Sequence, residues 1–120
     1  EPVSCTPVTM GQTMDRAPSW SRSGSEIAYQ RRLPGMNFYE VYKVDAATKV
    51  QTKLTDSNGM NFEELNPVLS PDGQVIAVAS DRDGDFDIWL VDANGGGYLS
   101  NLTDSSNSGI DSWPAFGFAP

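Results

Sequence analysis

An alternation of acidic residues in one short stretch is the strongest candidate for a chemical site. Four aspartates surround a single glycine, and they are Asp81, Asp83, Asp85 and Asp87. Hard cations such as calcium prefer carboxylate oxygens, so the stretch predicts a calcium site if a tight loop brings the side chains together. In the alternative interpretation, Asp83 and Gly84 form the turn of a β-hairpin, and the other carboxylates are solvated or paired with Arg82.

Residue types that commonly carry out catalysis are scarce. The chain contains no histidine, which excludes His-dependent triads and His-ligated zinc. No motif places one of its lysines beside a nucleophile. Two aspartates, Asp45 and Asp56, recur at the spacing of an internal repeat as Asp92 and Asp104, and such recurrence is typical of turn capping. We therefore expect no enzymatic activity, with calcium as the one cofactor under consideration.

Charge and hydropathy restrict the partners. The 120 residues include 16 acidic and 8 basic ones, a net charge of −8, which disfavours nucleic acid and anionic membranes. The longest apolar run, from Val75 to Ala79, has the length of a strand and is far below the roughly 18 residues that span a bilayer. The first residues have neither the basic nor the apolar region of a signal peptide. The prediction is a protein partner, without nucleic acid or membrane insertion.

A repeat of about 48 residues organises the chain. Residues 17–29 align without a gap with residues 66–78, and residues 40–45 align with residues 87–92. A Leu-Thr pair closes each copy, and a third copy starts at Trp113 and is cut short. Repeats of this length are typical of architectures that stack one supersecondary unit on the next.

Each copy is predicted to form four short strands separated by turns. Ser-x-x-Gly after the first strand is typical of a tight turn, because glycine readily adopts a positive φ. The predicted strands of the second copy are Val68–Leu69, Val75–Ser80, Ile88–Val91 and Asn101–Thr103, and those of the first are 19–20, 26–30, 41–44 and 53–55.

These residues resemble the TolB-type, WD-like β-propeller repeat. The family pattern is Pro-x-Trp-Ser-Pro-Asp-Gly, then Ile-Ala-Phe, a glycine hairpin, Asp-Ile-Tyr and Leu-Thr. The second copy has Asn66-Pro67-Val68-Leu69-Ser70-Pro71-Asp72-Gly73, Ile76-Ala77, Asp83-Gly84, Asp87-Ile88-Trp89 and Leu102-Thr103. The first copy departs from the pattern at Arg22 and Ser23 and in its long connection at residues 31–39. The resemblance implies an all-β fold of four-stranded antiparallel blades and a periplasmic or extracellular location.

The length of the chain predicts an incomplete propeller. A closed ring needs about four to eight blades, and the sequence holds two and a half repeats. We expect an N-terminal segment with room for an outer strand at residues 1–16, blades at 17–65 and 66–112, and the inner strand of a third blade at 113–120.

An incomplete propeller exposes apolar blade faces and strand edges, which favours contact with other proteins. The predicted function is non-catalytic protein interaction or self-assembly, with further blades or copies of the chain as partners. Predicted contact residues are Leu33, Met36, Phe38 and Tyr39 in the long connection, and Val8, Trp113, Phe116 and Phe118 near the ends. The alternatives are a structural subunit of an extracellular ring or filament, the propeller part of a larger hydrolase such as a serine peptidase, and a calcium-binding propeller module.

Overall fold

The computed structural model describes residues 5–56, 60–103, 111 and 113–117. Within them, two antiparallel four-stranded sheets follow one another in the chain. The first sheet contains β1 (Met14–Trp20), β2 (Glu26–Arg32), β3 (Glu40–Asp45) and β4 (Gln51–Lys53). The second contains β5 (Glu64–Leu69), β6 (Val75–Ser80), β7 (Asp87–Asp92) and β8 (Tyr98–Asn101). The predicted all-β class is confirmed, and no helix in the described part of the chain could cross a membrane.

The same turn joins the first two strands of each sheet. Gly24 N–H donates to the Ser21 carbonyl at 3.0 Å, and Gly73 N–H donates to the Ser70 carbonyl at 2.9 Å. Both glycines have positive φ, 76° and 73°, a conformation that side chains with a Cβ rarely adopt. The first sheet therefore forms this turn without the Pro-Asp pair of the family pattern.

The Leu-Thr pairs lie just beyond the fourth strands, both of which end two residues earlier than the sequence predicts. Each threonine hydroxyl instead forms hydrogen bonds with the first two residues of the third strand. Thr55 Oγ1 donates to the Glu40 carboxylate, and Thr103 Oγ1 lies 3.4 Å from Asp87 Oδ1. The same hydroxyls accept the N–H of the residue after each acid, at 2.8 and 2.9 Å. These threonines fix the end of each sheet through side-chain bonds, while Leu54 N–H and Leu102 N–H each donate to a carbonyl of the third strand at 2.8 Å.

The hydrophobic core lies between the two sheets. Its fully or almost fully buried members are Ala28, Val41 and Leu54 from the first sheet and Leu69, Ile76, Val78, Val91 and Ala93 from the second. Trp89 and Tyr98 pack against this cluster, with their ring centroids 5.8 Å apart. Each sheet is stabilised by burial against its neighbour, because a single four-stranded sheet cannot bury its own apolar face.

One acid is buried in this core. Glu64 Oε1 accepts hydrogen bonds from Tyr98 OH at 2.5 Å and from Ser80 Oγ at 2.9 Å, whereas its Oε2 is buried without a hydrogen-bond partner. Burial raises the pKa of Glu64 to about 8, and the bonds from Tyr98 and Ser80 oppose this effect only in part. Of the nearby charges, Glu40 raises and Arg82 lowers the same pKa. Folding therefore favours the protonated form of Glu64 at neutral pH.

Glu64→Gln should flatten the pH dependence of stability between about pH 5 and pH 8. The carboxyl has a pKa of 4.5 in the unfolded chain and about 8 in the folded chain, so the stability linked to it is complete below 4.5 and is lost as the pH rises through 8. Gln stays neutral, so the free energy of unfolding of the variant relative to wild type should grow by about 2–4 kcal/mol over this range. Urea denaturation at several pH values measures it.

The control for this prediction is Glu26→Gln, which removes a partly exposed carboxylate that pairs with Lys43 at 2.9 Å. Its stability should follow the wild-type pH profile. Parallel profiles for wild type and Glu64→Gln would contradict a raised pKa of Glu64 in the folded chain.

Ile76→Ala should destabilise both sheets together. Ile76 is fully buried between them, and truncation of a buried isoleucine costs about 2–5 kcal/mol. The matched control is Val50→Ala, since Val50 is 62% exposed and its truncation should change stability by less than about 0.5 kcal/mol. Denaturant unfolding followed by fluorescence and by circular dichroism checks this, and separate transitions for the two probes would contradict a shared core.

Candidate functional site

The two sheets carry equivalent faces in different surroundings. Both sheets pair in the same register, with Ile27 opposite Val44 in the first and Ile76 opposite Val91 in the second. In the second sheet, this face packs against the first sheet. In the first sheet, no further sheet of the described residues lies in front of it. We call this surface the front face, defined by Trp20, Ile27, Tyr29 and Val44.

The front face is only partly covered by its own chain. Val8 packs against Ile27, Tyr29 and Val44, much as Leu54 packs in the core between the sheets. This contact buries the centre of the front face and leaves its edge open, because Trp20 is 58% exposed. Next to it, Val8, Ile27, Tyr29 and Val44 help to line a groove of about 180 Å³. Val8, a predicted partner contact, therefore lies against its own sheet.

A fixed ion pair borders the front face. Arg31 Nε and Nη2 donate to the two oxygens of Asp15 at 2.8 and 3.0 Å, and Nη1 donates to Gln51 Oε1 at 2.5 Å. The guanidinium also lies over the rings of Tyr29 and Tyr42, 5.2 and 4.9 Å from their centroids. A bidentate pair with two aromatic supports gives this edge of the face a rigid polar group.

The electrostatics of this pair keep both groups charged. Burial is the largest single effect and raises the pKa of Asp15, but the hydrogen bonds from Arg31, Thr9 and Thr13 and the charge of Arg31 together outweigh it and hold the pKa below its usual value. The bond to Asp15 raises the pKa of Arg31, and burial raises the pKa of Tyr29 to about 12. The ion pair therefore does not titrate near neutral pH.

Sequence reasoning missed this pair, although the repeat contains a signal for it. Asp15 aligns with Glu64, and Arg31 aligns with Ser80, both 49 residues apart. An acid at the start of the first strand in both copies, with a basic partner in only one, marks the front face as chemically different from the buried face.

The long connection between β2 and β3 is less exposed than the sequence suggested. Leu33 and Met36 are 42% and 41% exposed, but Phe38 and Tyr39 are buried. Tyr39 OH also donates to Sδ of Met14, the first residue of β1, at 3.0 Å. This bond holds the Tyr39 side chain against the first strand. The predicted contact surface in this connection is thereby narrowed to Leu33 and Met36.

Residues 113–117, which the sequence predicts to belong to the inner strand of a third blade, are not in a strand, but Asp111 repeats one contact of the first sheet. Asp111 N–H donates to the Phe86 carbonyl at 2.9 Å, as Glu64 N–H donates to the Tyr39 carbonyl at 3.0 Å. Trp113 is 81% exposed. It borders a groove of about 250 Å³ whose other lining residues are Ala17, Pro18, Ser19, Asn66, Pro67, Val68 and Pro114. Phe116 is half-buried, and Phe118 lies outside the described residues.

The structure brings three of the four aspartates together. Carboxylate oxygens of Asp83, Asp85 and Asp87 lie within 4.8 Å of one another. Asp81 lies apart from this group, and its Oδ1 accepts the N–H of Glu63 at 2.8 Å. Asn101 Nδ2 donates to Asp83 at 3.1 Å and to Asp87 at 3.0 Å. This arrangement is compatible with calcium and also with a hairpin turn tied to the fourth strand.

The hairpin itself is formed by the residues that the alternative interpretation names. Gly84 N–H donates to the Asp81 carbonyl at 3.0 Å, and Gly84 has a φ of 119°. Arg82 extends towards the core, where its guanidinium lies 3.5 Å from the centroid of the Tyr98 ring. Arg82 thus contributes to packing between the sheets.

Comparison with known proteins gives the family context. No family model matches the chain. It is similar to an uncharacterised protein of Agrobacterium fabrum, with 32% identity over 87 residues, which is 72% of this chain and 28% of that protein. It is also similar to a solved structure assigned as TolB from Agrobacterium tumefaciens, with 29% identity and a TM-score of 0.67 over 82% of this chain and 33% of that one.

A second solved structure, TolB from Acinetobacter baumannii, shares 29% identity and a TM-score of 0.60 over 77% of this chain and 21% of that one. The chain thus spans a third or less of each of these three proteins. The two stacked four-stranded sheets, together with the likeness to these structures, identify the chain as a TolB-type propeller-like fragment. Its two sheets are blades of an incomplete propeller.

Proposed function

We propose that the chain is a non-catalytic protein-interaction module that binds its partner through the front face of the first blade. The observation that carries this proposal is the contrast between two equivalent residues. Trp20 is 58% exposed, whereas Leu69, at the same position of the second blade, is 5% exposed beneath the first blade. A surface that is buried in one repeat and open in the next has the shape and chemistry of an interface.

The composition of the front face supports this function. The face combines an exposed tryptophan, an apolar groove and the Arg31–Asp15 ion pair. Tryptophan and arginine are among the residue types that dominate the binding energy of interfaces. Burial of the indole removes a large apolar area from water. The resemblance to TolB propellers also supports protein partners and a periplasmic or extracellular location.

Two other functions remain proposals with their own readouts. A ring or filament of copies would give large species in sedimentation velocity, and a propeller part of a hydrolase would give a longer parent chain in mass spectrometry of the native protein. The front face contains no nucleophile beside a base among the residues described above. A protein-interaction module therefore requires the fewest additional assumptions.

Calcium binding is proposed as a second function, because three carboxylates lie within 4.8 Å of one another. Calcium in excess of its dissociation constant should raise the thermal unfolding midpoint by about 2–8 °C, and a chelator should reverse the rise, because a ligand that binds only the folded state stabilises it. Asp85→Asn should abolish the effect. An unchanged midpoint with and without chelator would leave the three aspartates with a role in the turn alone.

Trp20→Arg should reduce capture of the partner by about tenfold or more, because it replaces an apolar anchor with a charge. The immobilised protein is exposed to an envelope extract of the source organism, and captured proteins are quantified by mass spectrometry. Val50→Arg is the matched control, since Val50 is similarly exposed, at 62% against 58% for Trp20, but is not part of the front face. Capture of the same proteins in the same amounts by wild type and Trp20→Arg would rule out the front face as the binding surface.

A further inference from the structure

The second blade holds one arginine, Arg82, packed among aromatic rings. Its guanidinium carbon lies 3.5, 5.1 and 6.0 Å from the ring centroids of Tyr98, Trp89 and Phe62. Residues 66–112 contain eight acids and no other basic residue. At the 49-residue spacing of the repeat, the first copy has Leu33 in the place of Arg82, so the repeated fold does not require a cation there.

Two hydrogen-bond donors in this packing have no acceptor. Arg82 Nη1 and Trp89 Nε1 are both buried and have no hydrogen-bond partner among the described residues. Glu64, whose pKa Arg82 lowers, still has a pKa of about 8 and is mainly protonated at neutral pH, so it offers Arg82 no full negative charge. Buried donors without acceptors cost free energy, and they bind an incoming acceptor more strongly than donors in water do.

A groove of about 390 Å³ borders the arginine. It is lined by Arg82, by residues 53–56 at the end of the first sheet, and by Gly95, Gly97 and Tyr98 of the second sheet. Its acid, Asp56, pairs with Lys53 at 3.6 Å and thus has a cation of its own. The volume is in the range of small-molecule sites and exceeds what a simple inorganic ion fills.

We propose that this groove binds a small organic carboxylate, whose oxygens accept hydrogen bonds from Arg82 and whose organic part lies against Tyr98 and Leu54. A planar guanidinium matches the geometry of a carboxylate, and the surrounding rings already hold it in place. The groove shares no residue with the front face. The site is therefore separate from the proposed protein-binding surface, and its test is independent of the capture experiment.

Titration of the wild-type chain with benzoate tests the site, with the indole Nε1–H signals followed by NMR. The Trp89 signal should shift and saturate with a dissociation constant of about 1–10 mM, whereas those of Trp20 and Trp113 should shift far less. Benzamide has the same shape without the charge and should bind about tenfold more weakly or less. Equal binding of benzoate and benzamide, or no saturable shift of Trp89 with benzoate, would overturn the proposal.

Arg82→Met tests the role of the guanidinium. It should weaken benzoate binding by about tenfold or more, because it removes the charge and the donors and keeps an unbranched side chain. The matched control is Arg22→Met, which removes the charge of an exposed arginine outside the groove and should bind benzoate within about twofold of wild type. Wild-type affinity in a folded Arg82→Met would overturn the proposal. Circular dichroism first checks folding, and if Arg82→Met does not fold, the comparison of benzoate with benzamide on wild type decides.

Discussion

Burial of one blade against the next is the constraint on which the rest of the structure depends. Each blade has a face rich in Ile and Val that its own four strands cannot cover, and the second blade covers it by packing against the first. The turns join the strands of each face, and the threonine bonds hold the start of each third strand in place. The edge at Trp20 is open for the same reason, because no blade of the described residues lies in front of the first blade.

Features set by local chemistry could be predicted from the sequence. The Ser-x-x-Gly turns need only a serine oxygen and a glycine with positive φ, so the repeat identifies both blades even where Arg22 and Ser23 depart from the family pattern. Other features depend on residues far apart in the chain. The burial of Phe38 and Tyr39, the bounds of the fourth strands and the ion pair of Arg31 with Asp15 arise from packing across strands, which alignment of two repeats does not contain.

Differences between equivalent positions carry the functional information. The second blade buries Glu64 with Tyr98 and Ser80. At the equivalent place, the first blade has the ion pair of Arg31 with Asp15, beside Gln51. A protonated acid suits an interface sealed between two blades, and an ion pair suits a face with an exposed edge. The two copies have thus kept one fold while adapting the same face to two surroundings.

The left-handed bulge at Asn66 in β5 gives the junction between the two blades a polarity. The second blade donates from the bulge of its first strand, and the first blade accepts with the Gln30 amide oxygen of its second strand. Stacking these two blades front to front would separate this donor from this acceptor. Reversing one blade would leave the buried Gln30 oxygen without this bond, so a backbone donor and a side-chain acceptor together favour one order of the two blades.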